Sequence, residues 1–66
     1  MPNAEHYRIG EEEIHGIKVT IKTYQIGNRF YCHIENTDPG ATISRAEGST
    51  LEEARNQAIS HASRRL

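Results

Sequence analysis

The sequence has little to reinforce a small fold: one cysteine, Cys32, and no tryptophan among 66 residues. A single cysteine cannot form an intramolecular disulfide, so no covalent cross-link supplements the core. A chain of this length buries only about 60% of the surface that it exposes when unfolded. We therefore expect self-association to supply part of its stability.

An excess of charge of one sign is also missing, because 8 Lys and Arg stand against 9 Asp and Glu. This balance provides no general field that would attract nucleic acid or an anionic membrane. No apolar run reaches membrane-spanning length, and residues 1–13 lack the apolar stretch of a secretory signal. Together with the lone thiol, these absences predict a cytoplasmic protein that makes no membrane contact.

The sequence lacks the motifs of catalysis, cofactor binding and metal binding. Its four histidines are widely separated, and no second cysteine completes a zinc site. No P-loop, dinucleotide fingerprint or nucleophile elbow is present. Cys32 and His33 are neighbours on a predicted strand, so their side chains point to opposite faces and cannot form a catalytic dyad. We therefore predict no enzyme activity, no cofactor and no metal.

A β-hairpin is the clearest element that the sequence does contain. Apolar and polar residues alternate over residues 17–26, and Gly27 with Asn28 suits a two-residue turn before a second strand over residues 29–35. Such a turn determines the register of every pair outward from it. On one face this register pairs Ile21 with Ile34, Thr23 with Cys32 and Gln25 with Phe30.

A third strand and a helix follow the hairpin. The turn-forming residues 36–40 precede a short strand at about residues 41–46, in which Ile43 is the one large apolar side chain. The helix begins after Gly48, with Ser49 or Thr50 as its cap and glutamates in its first turn. Its apolar stripe comprises Leu51, Ala54, Ala58, Ala62 and Leu66, with Ile59 at the edge and the two leucines as anchors of its ends.

These elements predict an α+β fold in which a three-stranded antiparallel sheet carries one C-terminal helix on one face, in the order β-β-β-α. Residues 17–66 form this single domain, and residues 1–16 form a loose N-terminal segment. Within that segment, Tyr7 and Ile9 allow a short additional strand. The acidic run Glu11 to Glu13 is typical of a solvated turn, because three adjacent carboxylates repel one another.

The same region resembles a known family. The match covers about residues 17–66 and is carried by Arg29 Phe30 Tyr31 Cys32 His33 Ile34, by Asp38 Pro39 Gly40, by Gly48 Ser49 Thr50 Leu51 Glu52 Glu53 Ala54, and by Ala58. It resembles the N-terminal domain of HicB-like antitoxins. The resemblance implies a partial double-stranded-RNA-binding-domain topology and a small toxin ribonuclease as partner. The family's separate DNA-binding domain does not follow Leu66 here, so we expect no operator binding.

The predicted sheet face away from the helix is the candidate functional surface. It offers an aromatic and apolar centre within a rim of mostly positive side chains. The residues predicted to contact a partner are Tyr24, Tyr31, Ile26, Lys22, His33 and Arg29.

Three interpretations of this face compete. The first is a protein interface, either a homodimer formed sheet to sheet or edge to edge, or a site for a small protein partner. The second is single-stranded RNA or DNA binding, with tyrosines stacking on bases. Glu35 on the same face, and glutamates rather than lysines at the helix start, disfavour it. In the third, Tyr24 and Tyr31 only stabilise the sheet as a cross-strand pair.

Overall fold

Four antiparallel strands lie side by side in chain order and are followed by one helix. The computed structural model describes residues 4–38 and 40–66. The elements are β1 (Glu5–Ile14), β2 (Ile17–Ile26), β3 (Arg29–Asn36), β4 (Thr42–Gly48) and α1 (Leu51–Arg65), and the strand order in the sheet is β1-β2-β3-β4. The class is α+β as predicted, but the prediction of a three-stranded sheet is wrong, because the N-terminal segment supplies a fourth strand.

Strand β1 contains the acidic run that the sequence placed in a turn. In a strand, Glu11 and Glu13 point to one face and Glu12 to the other, which separates the three carboxylates. Glu12 accepts a hydrogen bond from Arg55 of the helix at 2.9 Å. The chain turns instead at His15 and Gly16, whose φ values of 52° and 78° are those that a two-residue hairpin requires.

The hairpin of β2 and β3 has the predicted register at every position. Ile26 pairs with Arg29, and the pairs continue outward in the predicted order. Gly27 takes the positive φ of the turn, at 59°. Turn chemistry and side-chain alternation are therefore enough to predict the register of this hairpin.

Strand β4 contains a bulge that the sequence did not reveal. Ser44 lies opposite Ile34 and Thr42 opposite Glu35, so Ile43 is an extra residue in the ladder. Ile43 and Ser44 are consecutive, yet both are buried, at 9% and 6% exposed. The bulge therefore turns the one large apolar residue of this strand toward the helix.

Helix α1 begins at the second of its two possible caps. The Thr50 side chain accepts a hydrogen bond from the Glu53 backbone N–H, and the Ser49 hydroxyl donates to the Glu53 carboxylate. A β-carbon at Gly48 would lie 2.9 Å from Cγ of Glu53 and 3.0 Å from the backbone nitrogen of Ala54. Only glycine therefore lets β4 pass so close to the first turn.

The alanine stripe of the helix is the contact with the sheet. Ala54, Ala58 and Ala62 are fully buried, and small side chains let the helix axis lie close to the strands. The carbonyl of Ala58 accepts a hydrogen bond from the buried Ser44 hydroxyl at 2.8 Å. Leu51 is 37% exposed, so the expectation that it anchors the first turn is wrong.

The core lies between α1 and the middle of the sheet. The helix packs chiefly on β4 and β3 and reaches β2 only at its margin. The helix covers the predicted face of the hairpin, which carries Ile21, Cys32 and Ile34. The buried apolar residues are Val19, Ile21, Cys32, Ile34, Ile43 and the three alanines of the stripe.

Candidate functional site

The sheet has one face without a helix, which we call the open face. Side chains alternate between the two faces along each strand, so the residues that lie between the core positions of β2 and β3 point to the open face. Its aromatic and aliphatic residues come from three strands. They are Tyr7, Ile9, Tyr24, Ile26 and Tyr31.

Three tyrosines form a column across the open face. The rings of Tyr24 and Tyr31 are stacked with centroids 5.3 Å apart and an interplanar angle of 12°. Tyr7 continues the stack on the other side of Tyr24, with centroids 6.1 Å apart and an angle of 17°. We call Tyr7, Tyr24 and Tyr31 the tyrosine column. Because Tyr24 is central, its neighbours lie against both faces of its ring, and the residue is half-buried.

His33 holds the central ring of the column in place. Its Nε2 atom and the Tyr24 hydroxyl share a hydrogen bond of 2.9 Å, and the two rings are tilted by 52°. Partial burial lowers the pKa of His33, and the positive charge of Arg45 lowers it further, while Glu35 opposes both effects. The lowered pKa favours the neutral imidazole, whose Nε2 can accept a hydrogen bond from the Tyr24 hydroxyl.

Two of the cations near the column are paired with carboxylates. Lys22 lies 2.8 Å from Glu35, whose hydrogen bond and negative charge raise the pKa of Lys22. Arg29 lies 3.4 Å from Glu47. The expected positive rim is therefore a mixed rim that carries both signs side by side.

The predicted contact residues do not form one cluster. Tyr24, Tyr31 and His33 lie together, and Lys22 lies beside them. Ile26 and Arg29 face each other at the turn end of the hairpin. The structure therefore brings Tyr24, Tyr31 and His33 together and leaves Ile26 and Arg29 away from them.

Three residues of the site were missed by the sequence analysis. Tyr7 completes the column, and Arg45 and Glu47 lie on the β4 side of it. The signal for the latter pair was the alternation of β4, where charged residues follow small buried ones. A shallow depression of about 350 Å³ is lined by Tyr24, Tyr31, His33, Arg45, Ala46 and Glu47.

Cys32 lies on the opposite side of the sheet from His33. It is fully buried against the helix, and desolvation raises the pKa of its thiol. A thiol in this setting acts as a small hydrophobe. Over residues 4–38 and 40–66, no three His, Cys, Asp or Glu side chains lie close enough to hold a metal ion.

A second opening lies on the helix side, beside β1. The helix does not extend over this strand, which leaves a depression of about 300 Å³ between them. Arg8, Gly10 and Glu12 border it from β1, and Leu51 and Arg55 border it from the helix. β1 is therefore only partly covered on its helix side, where Glu12 contacts Arg55.

The chain matches no protein-family model, no curated protein and no solved structure. Within the described part of the chain, no helix has the length and apolar character to cross a membrane. The function therefore has to be inferred from the surfaces of the fold.

Proposed function

We propose that the chain is a small non-catalytic protein-interaction module that forms a homodimer and uses the open face as a contact surface. The tyrosine column is the observation that carries this proposal. Its outer end is highly accessible, since Tyr7 is 54% and the neighbouring Ile9 60% exposed. Continuous aromatic and aliphatic surface of this kind is typical of protein interfaces, in which tyrosine is enriched.

The column is also organised before any partner arrives. Stacking fixes the three rings, and the hydrogen bond to His33 fixes the central one. Rings that are already ordered lose little side-chain entropy on binding, so more of the contact energy contributes to affinity. This order supports the assignment of the column as the anchor of the interface.

The mixed rim supports a second copy of the chain as the partner. Lys22 with Glu35, and Arg29 with Glu47, place opposite charges next to each other. The formal net charge of the chain is only -1. Two copies can therefore approach without strong long-range repulsion.

Nucleic acid is supported less well than a protein. Base stacking needs an accessible ring face, and both faces of Tyr24 are covered by its neighbours. The nearest cations of the rim are paired with glutamates, which would compete with phosphate. The central ring and two of the rim cations are therefore already engaged, which disfavours a single strand.

We propose that the chain shares the topology of HicB-like antitoxins, and we propose no more than that from the resemblance. The order β2, β3, β4, α1 supports it, because this is the β-β-β-α order that the resemblance implies. The additional strand β1 lies outside the matched region. A function shared with that family does not follow from a shared order of elements.

Serine variants of the column test the proposed interface. We expect Tyr7→Ser and Tyr24→Ser to weaken self-association by roughly tenfold or more, because truncating a buried aromatic anchor has this effect. Sedimentation velocity over a range of concentrations measures the association, and circular dichroism checks the fold. Asn56→Ser, on the exposed side of the helix, is the control and should associate as the unmodified chain does.

Two results would contradict the proposal. If the tyrosine variants only melt at lower temperature and associate normally, the column is a stabilising cross-strand stack. If a pull-down from lysate loses its captured material after nuclease treatment, the face binds nucleic acid.

A further inference from the structure

The outer edge of β1 is an unpaired strand edge. Among the strands of the described residues, β1 pairs with β2 alone, and residues 5–13 are all exposed. Ile14 and Ile17 flank the two-residue turn and so exchange backbone hydrogen bonds, after which the bonding positions alternate. The N–H and C=O groups of Ile9, Glu11 and Glu13 consequently point away from β2, toward solvent.

The geometry points to a second copy of β1 as the occupant of this edge: we infer that two chains pair antiparallel through β1, in a register centred on Gly10. This inference goes beyond the proposed function by adding a second contact between copies, which leaves the open face uncovered, and it rests on that proposal only for the existence of self-association. The product is one continuous sheet with four strands from each copy.

Charge complementarity selects the register. A two-fold axis normal to the sheet keeps the two faces separate, so each residue meets one from the same face. A centre at Gly10 places Arg8 of each copy opposite Glu12 of the other, which gives two equivalent pairs of opposite charge. A centre at Ile9 would instead oppose Glu5 with Glu13, and a centre at Glu11 would oppose that carboxylate with its own copy.

The Gly10 register also suits the backbone and the space around it. Arg8, Gly10 and Glu12 use their own backbone groups toward β2, so in the dimer they form the close pairs that share no hydrogen bonds. A β-carbon at Gly10 would have no heavy atom within 4 Å. The long side chains of Arg8 and Glu12 therefore have room on both sides of the axis.

The helix of each chain prepares Glu12 for this contact. Arg55 already holds one oxygen of Glu12 at 2.9 Å. Arg8 of the second copy would bind the same carboxylate from the other side. Because α1 lies over β3 and β4, the two helices stay apart, and both tyrosine columns lie on one side of the joined sheet.

Cysteine cross-linking tests the register directly. Opposite residues of a close pair have the spacing that a disulfide needs, so Gly10→Cys should give a covalent dimer on a non-reducing gel under mild oxidation. The native Cys32 is fully buried and should not interfere. Arg8→Cys and Glu12→Cys are the matched controls: neither should cross-link alone, but their mixture should.

Charge reversal supplies a second measurement that needs no oxidant. Arg8→Glu and Glu12→Arg should each weaken self-association roughly tenfold, since each places like charges opposite one another. An equimolar mixture of the two variants should recover it, because the mixed dimer has attractive pairs at both positions.

The outcomes separate the two proposals. The edge inference is overturned if Gly10→Cys cross-links no faster than Glu12→Cys alone, even where Tyr7→Ser still dissociates a dimer, which leaves the open-face interface in place. If Gly10→Cys cross-links and the tyrosine variants associate normally, the edge pairing stands and the open face fails as a contact. A chain that stays monomeric at high concentration overturns both.

Discussion

The two edge strands of the sheet are built in opposite ways. β4 has seven residues and a bulge, and the helix packs on it. Arg65 at the end of that helix donates a hydrogen bond to the carbonyl of Ile43 at 3.0 Å. β1 has ten residues that are almost all exposed, and it pairs on one side only. Short and covered edges resist pairing with other chains. β1 also has an irregularity, between Glu5 and Arg8, so its length and its exposure are what mark it as the edge left open.

The forces that hold the two strands differ accordingly. β4 buries Ile43 and the Ser44 hydroxyl against the helix. β1 relies on its backbone ladder with β2, on the stacking of Tyr7 on Tyr24, on the half-buried Ile14 and on a surface ion pair between Glu12 and Arg55. Exposed ion pairs contribute only about 0–1 kcal/mol, so β1 should open more easily than the rest of the sheet.

Matched isoleucine truncations should show the largest difference between the two edge strands. We expect Ile43→Ala to lower the free energy of unfolding by about 2–4 kcal/mol, because it leaves a cavity under the helix. Ile9→Ala should change it by less than about 0.5 kcal/mol, since that side chain is exposed. Urea unfolding of both variants measures the difference. Equal losses would mean that β1 is packed as firmly as β4.

Matched glycine substitutions test the same two strands at the backbone. Gly48→Ala should destabilise the fold by about 1–3 kcal/mol, because its β-carbon would press on Glu53 and on the helix backbone at Ala54. Gly10→Ala should be neutral or stabilising by up to about 1 kcal/mol, since its β-carbon meets open space and the unfolded chain loses freedom. Thermal melts of the two variants compare them, and a destabilised Gly10→Ala would contradict the open edge.

A smaller effect on stability is expected from pH, through His33 on the open face between the two edge strands. The pKa of His33 is lower in the folded chain than its ordinary value of 6.5, so the unfolded chain takes up the proton first. Its contribution to stability is therefore complete above pH 6.5 and declines as the pH falls below it. The groups around it are Arg45, Lys22, Glu35 and Tyr24.

Thermal melts at pH 5.5 and 7.5 check this direction. His33→Gln removes the titrating group, so its melting temperature should change less between the two pH values than that of the unmodified chain. The rest of the chain is identical in the two proteins, so the comparison isolates His33. An identical pH response would show that burial of His33 has no effect on stability.

Strength of local pattern explains which elements were predictable. The hairpin of β2 and β3 combines strict alternation with a turn dipeptide, and its register was correct at every pair. The helix was evident from its cap and alanine spacing. β1 lacks apolar alternation, because almost none of it is buried, and the acidic run Glu11 to Glu13 was read as a turn. Only pairing with β2 makes that segment a strand.

The candidate site divides in the same way. Tyr24 and Tyr31 were predicted as a cross-strand pair, since the hairpin register alone brings them together. Tyr7 was left out because its segment was expected to be loose, with a short additional strand only as an alternative. The mixed charge of the rim was not predictable either, since Glu47 lies on β4 and meets Arg29 only in the assembled sheet.

Short-range sequence pattern is enough to predict the central hairpin and its register, the helix with its alanine stripe, and the face that each of their side chains occupies. These follow from turn chemistry and from periods of two and 3.6 residues, which act over short stretches of chain. The tertiary structure alone decided the fourth strand, the bulge at Ile43, the third tyrosine of the column and the open edge of β1. Each depends on contacts between distant segments, where backbone pairing and helix packing override weak local pattern.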